Sequence, residues 1–245
     1  MWRNGRRVRL KIEYRKVWRF KSSHWHRGMN SQTVQFFEEL KLRQDVVGII
    51  LFGSWARGNN REGSDVDLVV ITENEYKRSV EFRGGQMFEI IFTTPEKAFD
   101  FWKNNKDDAY GLWSVAKIIF DRDGSIEVLK DKTLKILQEG KRKISESEIE
   151  QNYFDAKDQV EYAQVVYKSD PTTANMILLN KVFVLIESYF NYKQLWIPVP
   201  KQRIAELHNL DTNIAYLIKE FYKETNHFSQ KVDLAKRIIA YIYGK

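Results

Sequence analysis

Read for hydrophobic and polar periodicity, the chain opens with strand-like segments and ends in helical ones. Val8, Leu10, Ile12 and Tyr14 alternate with Arg9, Lys11, Glu13 and Arg15, the period of two that marks a strand with one buried face. An aromatic stretch with Trp18, Phe20 and Trp25 follows, and Ser31 is placed to cap a helix running to about Arg43. The unbroken apolar run Val46 to Phe52 predicts a buried strand that ends at Gly53-Ser54. Turn-forming residues from Gly58 to Ser64 separate it from a second strand, Asp65 to Ile71. A third strand is expected at Gln86 to Thr93 after Gly84-Gly85, and a fourth at Ala116 to Phe120 before the turn Asp121-Arg122-Asp123-Gly124. Thr94-Pro95-Glu96 has a capping residue followed by proline at the first helical position and so starts a helix; Ser125 to Leu137 reads as another.

The pattern changes near residue 140, where Glu139 to Lys143 reads as a linker and Ser147-x-x-Glu150 as a capping box. Apolar positions at helical spacing then run through 149–167, 172–192, 201–209, 211–222 and 229–243. The expected organisation is α+β: a sheet-containing domain over residues 1–140 with a basic N-terminal extension, then an α-helical bundle over 145–245.

Composition narrows the function classes. Of 245 residues, 43% are hydrophobic and 30% charged, a balance that builds a core and excludes a disordered or collagen-like chain. The absence of cysteine excludes a disulfide framework, an iron–sulfur cluster, a thiolate zinc site and a cysteine nucleophile. No window approaches eighteen apolar residues, and the first twenty residues carry arginines throughout, so neither a membrane span nor a secretory signal is expected and the location reads as cytoplasmic. The net charge of +7 is unevenly placed: ten Lys/Arg against Glu13 alone give residues 1–30 a charge of +9, leaving −2 for the remainder. That segment suits nucleic acid, another polyanion, an acidic patch on its own protein, or plain solvation.

The chemistry concentrates in Leu51-Phe52-Gly53-Ser54-Trp55-Ala56-Arg57-Gly58 and Ser64-Asp65-Val66-Asp67-Leu68-Val69. Asp65 and Asp67, two apart on a strand, project from one face and can share divalent ions. Two Mg²⁺ ions roughly 3.5–4 Å apart clamp the attacking and leaving oxygens of an in-line displacement at phosphorus. Gly53 and Ser54, directly off a buried strand, allow backbone N–H groups and a hydroxyl to approach a triphosphate. Arg57 or Arg61 can neutralise phosphate charge, and Ser64 closes the loop beside them.

Gly53-Ser54, ten intervening residues and Asp65-Val66-Asp67-Leu68 resemble the hG[GS]…Dh[DE]h signature of the DNA polymerase β-type nucleotidyltransferase superfamily. The similarity extends over about Val46 to Asp123, including Ala56-Arg57-Gly58 and Ile118-Ile119-Phe120-Asp121-Arg122-Asp123-Gly124. It implies a polymerase β-like mixed sheet with helices, and a Mg²⁺-dependent enzyme of the EC 2.7.7 type, Mn²⁺ being an alternative ion. Such an enzyme moves a nucleoside monophosphate from an NTP, ATP by preference, to an acceptor hydroxyl bound between the two domains. The family often draws a third carboxylate from the next strand; Glu89 matches, since an acid in the apolar run Met87 to Phe92 needs a partner, with Glu81 in reserve. Asp65, Asp67 and Glu89 would then be the metal ligands and catalytic acids, and Gly53, Ser54, Arg57, Arg61 and Ser64 the nucleotide-binding residues.

The resemblance also implies a C-terminal bundle like that of kanamycin-type enzymes or HEPN-like domains, in which a glutamate serves as base for the acceptor. Glu187 is the candidate, with Asp158 and Glu161 competing. The acceptor is left open among RNA, a small molecule and a protein, as is homodimer formation. The competing function is a regulatory nucleotide- or RNA-binding module, such as one component of a toxin–antitoxin pair. His24 with His26 makes a poor metal site without further ligands, and the Arg203 to His208 spacing of HEPN-type ribonucleases is matched by chance as readily as not. No Walker loop, G-x-S-x-G elbow or zinc-ribbon spacing is present.

Overall fold

The computed structural model describes residues 29–74 and 76–245. The strand expected at residues 8–14, His24 with His26, and the cations of the N-terminal segment lie outside the described residues. Contacts divide the chain into two compact units: a sheet unit reaching to Thr94 and rejoined by Ala116–Ser125, and a helical unit made of Pro95–Val115 and Ile126–Lys245. The architecture is α+β.

The sheet unit contains α1 (Ser31–Leu42), β1 (Val46–Phe52), α2 (Gly53–Arg57), β2 (Val66–Thr72), β3 (Lys77–Arg83), β4 (Gln86–Thr93) and β5 (Lys117–Asp121). Among the described residues its five strands lie in the order β3-β4-β2-β1-β5. β2 and β4 are parallel, and the other neighbouring pairs are antiparallel, so the sheet is mixed. The central strands are buried almost throughout, which is why β1 and β2 read as continuous apolar runs with little alternation. Helix α1 turns Phe36, Phe37 and Leu40 inward, with the Phe36 and Phe88 rings edge to face at 4.7 Å. Its cap is Asn30, whose side chain accepts from Thr33 N at 2.7 Å; Ser31, the expected cap, is the first helical residue.

Strand β3 was not expected, because Lys77-Arg-Ser-Val-Glu-Phe-Arg83 carries too few apolar residues to announce a buried face. Among the described residues it is an edge strand, mostly exposed, and owes its place to backbone pairing with β4. The two-residue turn Gly84-Gly85 joins them with φ of 57° and 78°, the left-handed values that antiparallel twist demands of a tight hairpin.

The helical unit comprises α3 (Pro95–Asn104), α4 (Lys106–Trp113), α5 (Ser125–Gln138), α6 (Glu146–Val166), α7 (Pro171–Tyr192), α8 (Arg203–Leu210), α9 (Thr212–Phe221) and α10 (Phe228–Tyr243); its first α5 residue belongs to the sheet unit. The five helices expected after residue 145 are present. The capping box of α6 sits two residues earlier than expected: Ser145 Oγ accepts from Glu148 N, and Glu148 accepts from Ser145 N at 3.0 Å. Both serine–glutamate pairs fit the spacing, but Arg142 also grips Glu148, and the resulting bonds hold that carboxyl far below the usual carboxylate range.

The residues between α5 and α6 are anchored at Lys141, whose ammonium reaches Asp107 at 2.8 Å and donates to Asn191 at 2.6 Å. Val160, Leu178, Val182, Ile214, Ile218, Phe221 and Ile238 form part of a fully buried core. Asp211 caps α9 and accepts hydroxyl bonds from Tyr189 (3.2 Å) and Tyr241 (2.9 Å), linking α7, α9 and α10 through one carboxylate. Among the described residues no helix is long and apolar enough to cross a membrane.

Candidate active site

The site begins where β1 ends. Phe52 pairs with Asp67 across β1 and β2, and the next residue, Gly53, is buried with φ of 69°. A β-carbon there would lie 1.7 Å from Asp67 Oδ2, so glycine meets both the left-handed backbone and the approach of the carboxylate. Gly53 and Asp67, fourteen positions apart, are thus one packing unit. At the next residue, Ser54 Oγ is buried with no hydrogen-bond partner among the described residues. An unpaired buried hydroxyl costs free energy, and one residue from the Gly53–Asp67 contact it suits a polar ligand.

The loop delivering Asp65 is organised around Ser64. Its carbonyl accepts from Trp55 Nε1 at 3.2 Å and from Gln86 Nε2 at 2.7 Å, tying the loop to α2 and to the start of β4. Its hydroxyl accepts from Arg61 N at 2.9 Å, and its own N–H donates to the Arg61 carbonyl. Arg57 ends α2 half-buried, and Arg61 is exposed in the loop.

Asp65, Asp67 and Glu89 converge. Asp67 and Glu89 are register partners on parallel β2 and β4, and Asp65 lies two residues before Asp67 on the same face. One oxygen from each lies within 4.8 Å of the others, and all three residues are half-buried. Three carboxylate oxygens at this separation match the hard, oxygen-only ligand set that Mg²⁺ or Mn²⁺ prefers. Glu81, the reserve acid, does not join them: it pairs with Phe88 across the hairpin while Val80 stands opposite Glu89, so Glu81 faces the other side and reaches Arg83 at 3.0 Å.

Sequence reasoning did not single out Arg78, which forms an ion pair with Glu89 from the edge strand. The hairpin about Gly84-Gly85 carried the signal. With Arg83 opposite Gln86, the antiparallel register brings Val80 to Glu89 and Arg78 to Ile91, one diagonal step from the acid. Gln86, which anchors Ser64, lies in the same register; the sequence marks it only as the start of a strand.

In the helical unit, Glu187 lies on α7 and meets Arg203 at 2.7 Å. Arg203 is buried, donates to the Pro198 carbonyl at 3.1 Å and stacks over Phe183, while His208 is exposed. Asp158 and Glu161 are exposed on α6, with Glu161 facing Lys157 at 3.8 Å.

The model of the family described as Nucleotidyltransferase domain matches residues 32–167, more than half of the chain, and the chain belongs to that family. A curated relative from Methanocaldococcus jannaschii, named "Putative protein adenylyltransferase MJ1305", is 33% identical over 110 residues, 39% of this chain and 74% of the relative. Among solved structures, a nucleotidyltransferase-like protein from Exiguobacterium sibiricum 255-15 aligns over 89% of this chain and 75% of its own, at 16% identity and a TM-score of 0.47. The protein is a nucleotidyltransferase enzyme.

Proposed function

We propose that the protein transfers the adenylyl group of ATP to an acceptor hydroxyl, breaking the bond between the α- and β-phosphates and releasing pyrophosphate and the hydroxyl proton, with Mg²⁺ held by Asp65, Asp67 and Glu89. The observation that carries this reading is the convergence of the three carboxylates beside Gly53, which is followed by the Ser54 hydroxyl, buried and unpartnered among the described residues. When bound, divalent ions neutralise the charge developing on the transferring phosphoryl group and align the attacking and leaving oxygens. Gly53 lets the chain pass close to Asp67 and sets its carboxylate. Ser54 donates its hydroxyl to the triphosphate, Ser64 fixes the loop that presents Asp65, and Arg57 or Arg61 offsets phosphate charge. Positioning and charge neutralisation supply most of the rate.

The relative's printed name supports adenylyl as the group transferred and a protein side chain as the acceptor. The test is incubation with α-³²P-labelled ATP, GTP, CTP and UTP plus Mg²⁺, with a protein extract, total RNA and a small-molecule extract as separate acceptors. Label from ATP entering the protein pool with the wild type and not with Asp65→Ala/Asp67→Ala is the expected result. Equal labelling by the doubly substituted chain refutes the reading.

A further inference from the structure

Three carboxylates within 4.8 Å repel one another unless a cation joins them. For Glu89 such a cation comes from its own chain. Arg78 extends its guanidinium from β3 onto Glu89, the acid at the outer side of the cluster. The other cations of β3 are directed elsewhere: Lys77 lies over the Phe92 ring, and Arg83 pairs with Glu81 and covers Phe36. Arg78 is also lightly held, with a side chain 73% exposed against 27% for Glu89. Its charge can swing back into water with little change in hydration.

We propose that Arg78 is a displaceable counter-ion of the carboxylate cluster: it occupies a Glu89 oxygen that a divalent cation needs, so that loading the site requires the arginine to let go. The inference rests on the metal-binding reading above and adds a positioning residue to it. Arg78 steadies Glu89 while the cluster lacks metal and lowers the affinity for the ion by the strength of the pair it gives up. An exposed ion pair of this kind is worth about a two- to fivefold change in binding constant. Arg78 thereby sets the divalent concentration at which the site fills, with no contact to nucleotide or acceptor needed.

The experiment is Mn²⁺ binding to the full chain at low ionic strength without nucleotide, followed by calorimetry and by electron paramagnetic resonance of free Mn²⁺. It compares wild type, Arg78→Ala, Glu89→Gln, the double variant, and Asp65→Ala/Asp67→Ala, with circular dichroism to confirm that each folds. The expected result is that Arg78→Ala tightens Mn²⁺ binding by about two- to fivefold and that the gain disappears when Glu89 is already glutamine. Unchanged or weaker binding in Arg78→Ala overturns the proposal. A gain that persists in the Glu89→Gln background also overturns it, because the arginine would then act through its general field and not through Glu89. If wild type binds Mn²⁺ no better than Asp65→Ala/Asp67→Ala, the metal-binding reading itself fails, which is distinct from a wild type that binds but ignores Arg78.

Discussion

The contact between Gly53 and Asp67 makes a quantitative prediction for Gly53→Ala. The added methyl would sit 1.7 Å from Asp67 Oδ2, whereas real β-carbons essentially never approach a heavy atom within 3.0 Å, so one of the two must move by at least 1.3 Å. Holding alanine at φ of 69° costs about 1–2 kcal/mol, and forcing an extra methyl into a packed site costs about 1–3 kcal/mol more. Asp67 can relieve the second cost by turning its carboxylate away, which preserves the fold at the expense of the cluster. A displacement of about 1 Å lowers turnover by roughly 100-fold. Gly58→Ala is the matched control. Gly58 has φ of 77° but nothing within 4 Å of an added methyl, so that variant bears only the backbone strain. Thermal unfolding, Mn²⁺ binding and adenylyl transfer should be compared across the pair. Both variants should melt lower; only Gly53→Ala should lose metal affinity and turnover. Turnover of Gly53→Ala within about threefold of wild type would show that Asp67 need not stay where Gly53 admits it.

Asp67→Asn should fold normally by circular dichroism and lose about 10²–10³-fold or more in transfer, since the charge that organises the site is gone. Glu187→Gln should lower the melting temperature by weakening the partner of buried Arg203, at a cost of about 1–3 kcal/mol, and leave Mn²⁺ binding unchanged; a loss of turnover well below the melting temperature would instead mark Glu187 as the acceptor base. Burial pushes the Tyr222 hydroxyl up to about 12 from its ordinary 10.0, so its protonated form contributes stability fully present below pH 10.0. That contribution is lost as the pH climbs from 10.0 to about 12, because the unfolded chain ionises first. Melting followed over this range should fall less steeply in Tyr222→Phe, and an equal fall in both would place the alkaline transition elsewhere.

The elements legible in the sequence were those whose burial imposes a pattern. β1, β2, β4 and α7 are apolar runs or helical stripes because tertiary packing demands it, and their limits were read to within a residue or two. Strand β3 was not legible because pairing, not burial, holds it. The same distinction divides the site. The spacing of Gly53-Ser54 and Asp65-x-Asp67 displays the phosphate and metal chemistry directly, whereas Arg78 and Gln86 enter only through the register of a hairpin. The caps at Asn30 and Ser145 were misread by one or two residues because neighbouring side chains offer equally good chemistry, and tertiary contacts such as Arg142 on Glu148 decide between them.

Strand β5 carries a consequence for how the chain folds. It pairs with β1 across more than seventy residues, Gly48 with Asp121, after Pro95–Val115 has gone to build part of the other unit. Until that return is made, one side of β1 shows an open row of amide and carbonyl groups along an almost wholly apolar strand. Closing so long a loop is entropically slow compared with forming the β3–β4 hairpin. The half-made sheet, with β1 as its sticky border, is therefore the species most prone to associate with another chain during synthesis, and truncation before Lys117 should yield aggregates and not a smaller soluble domain.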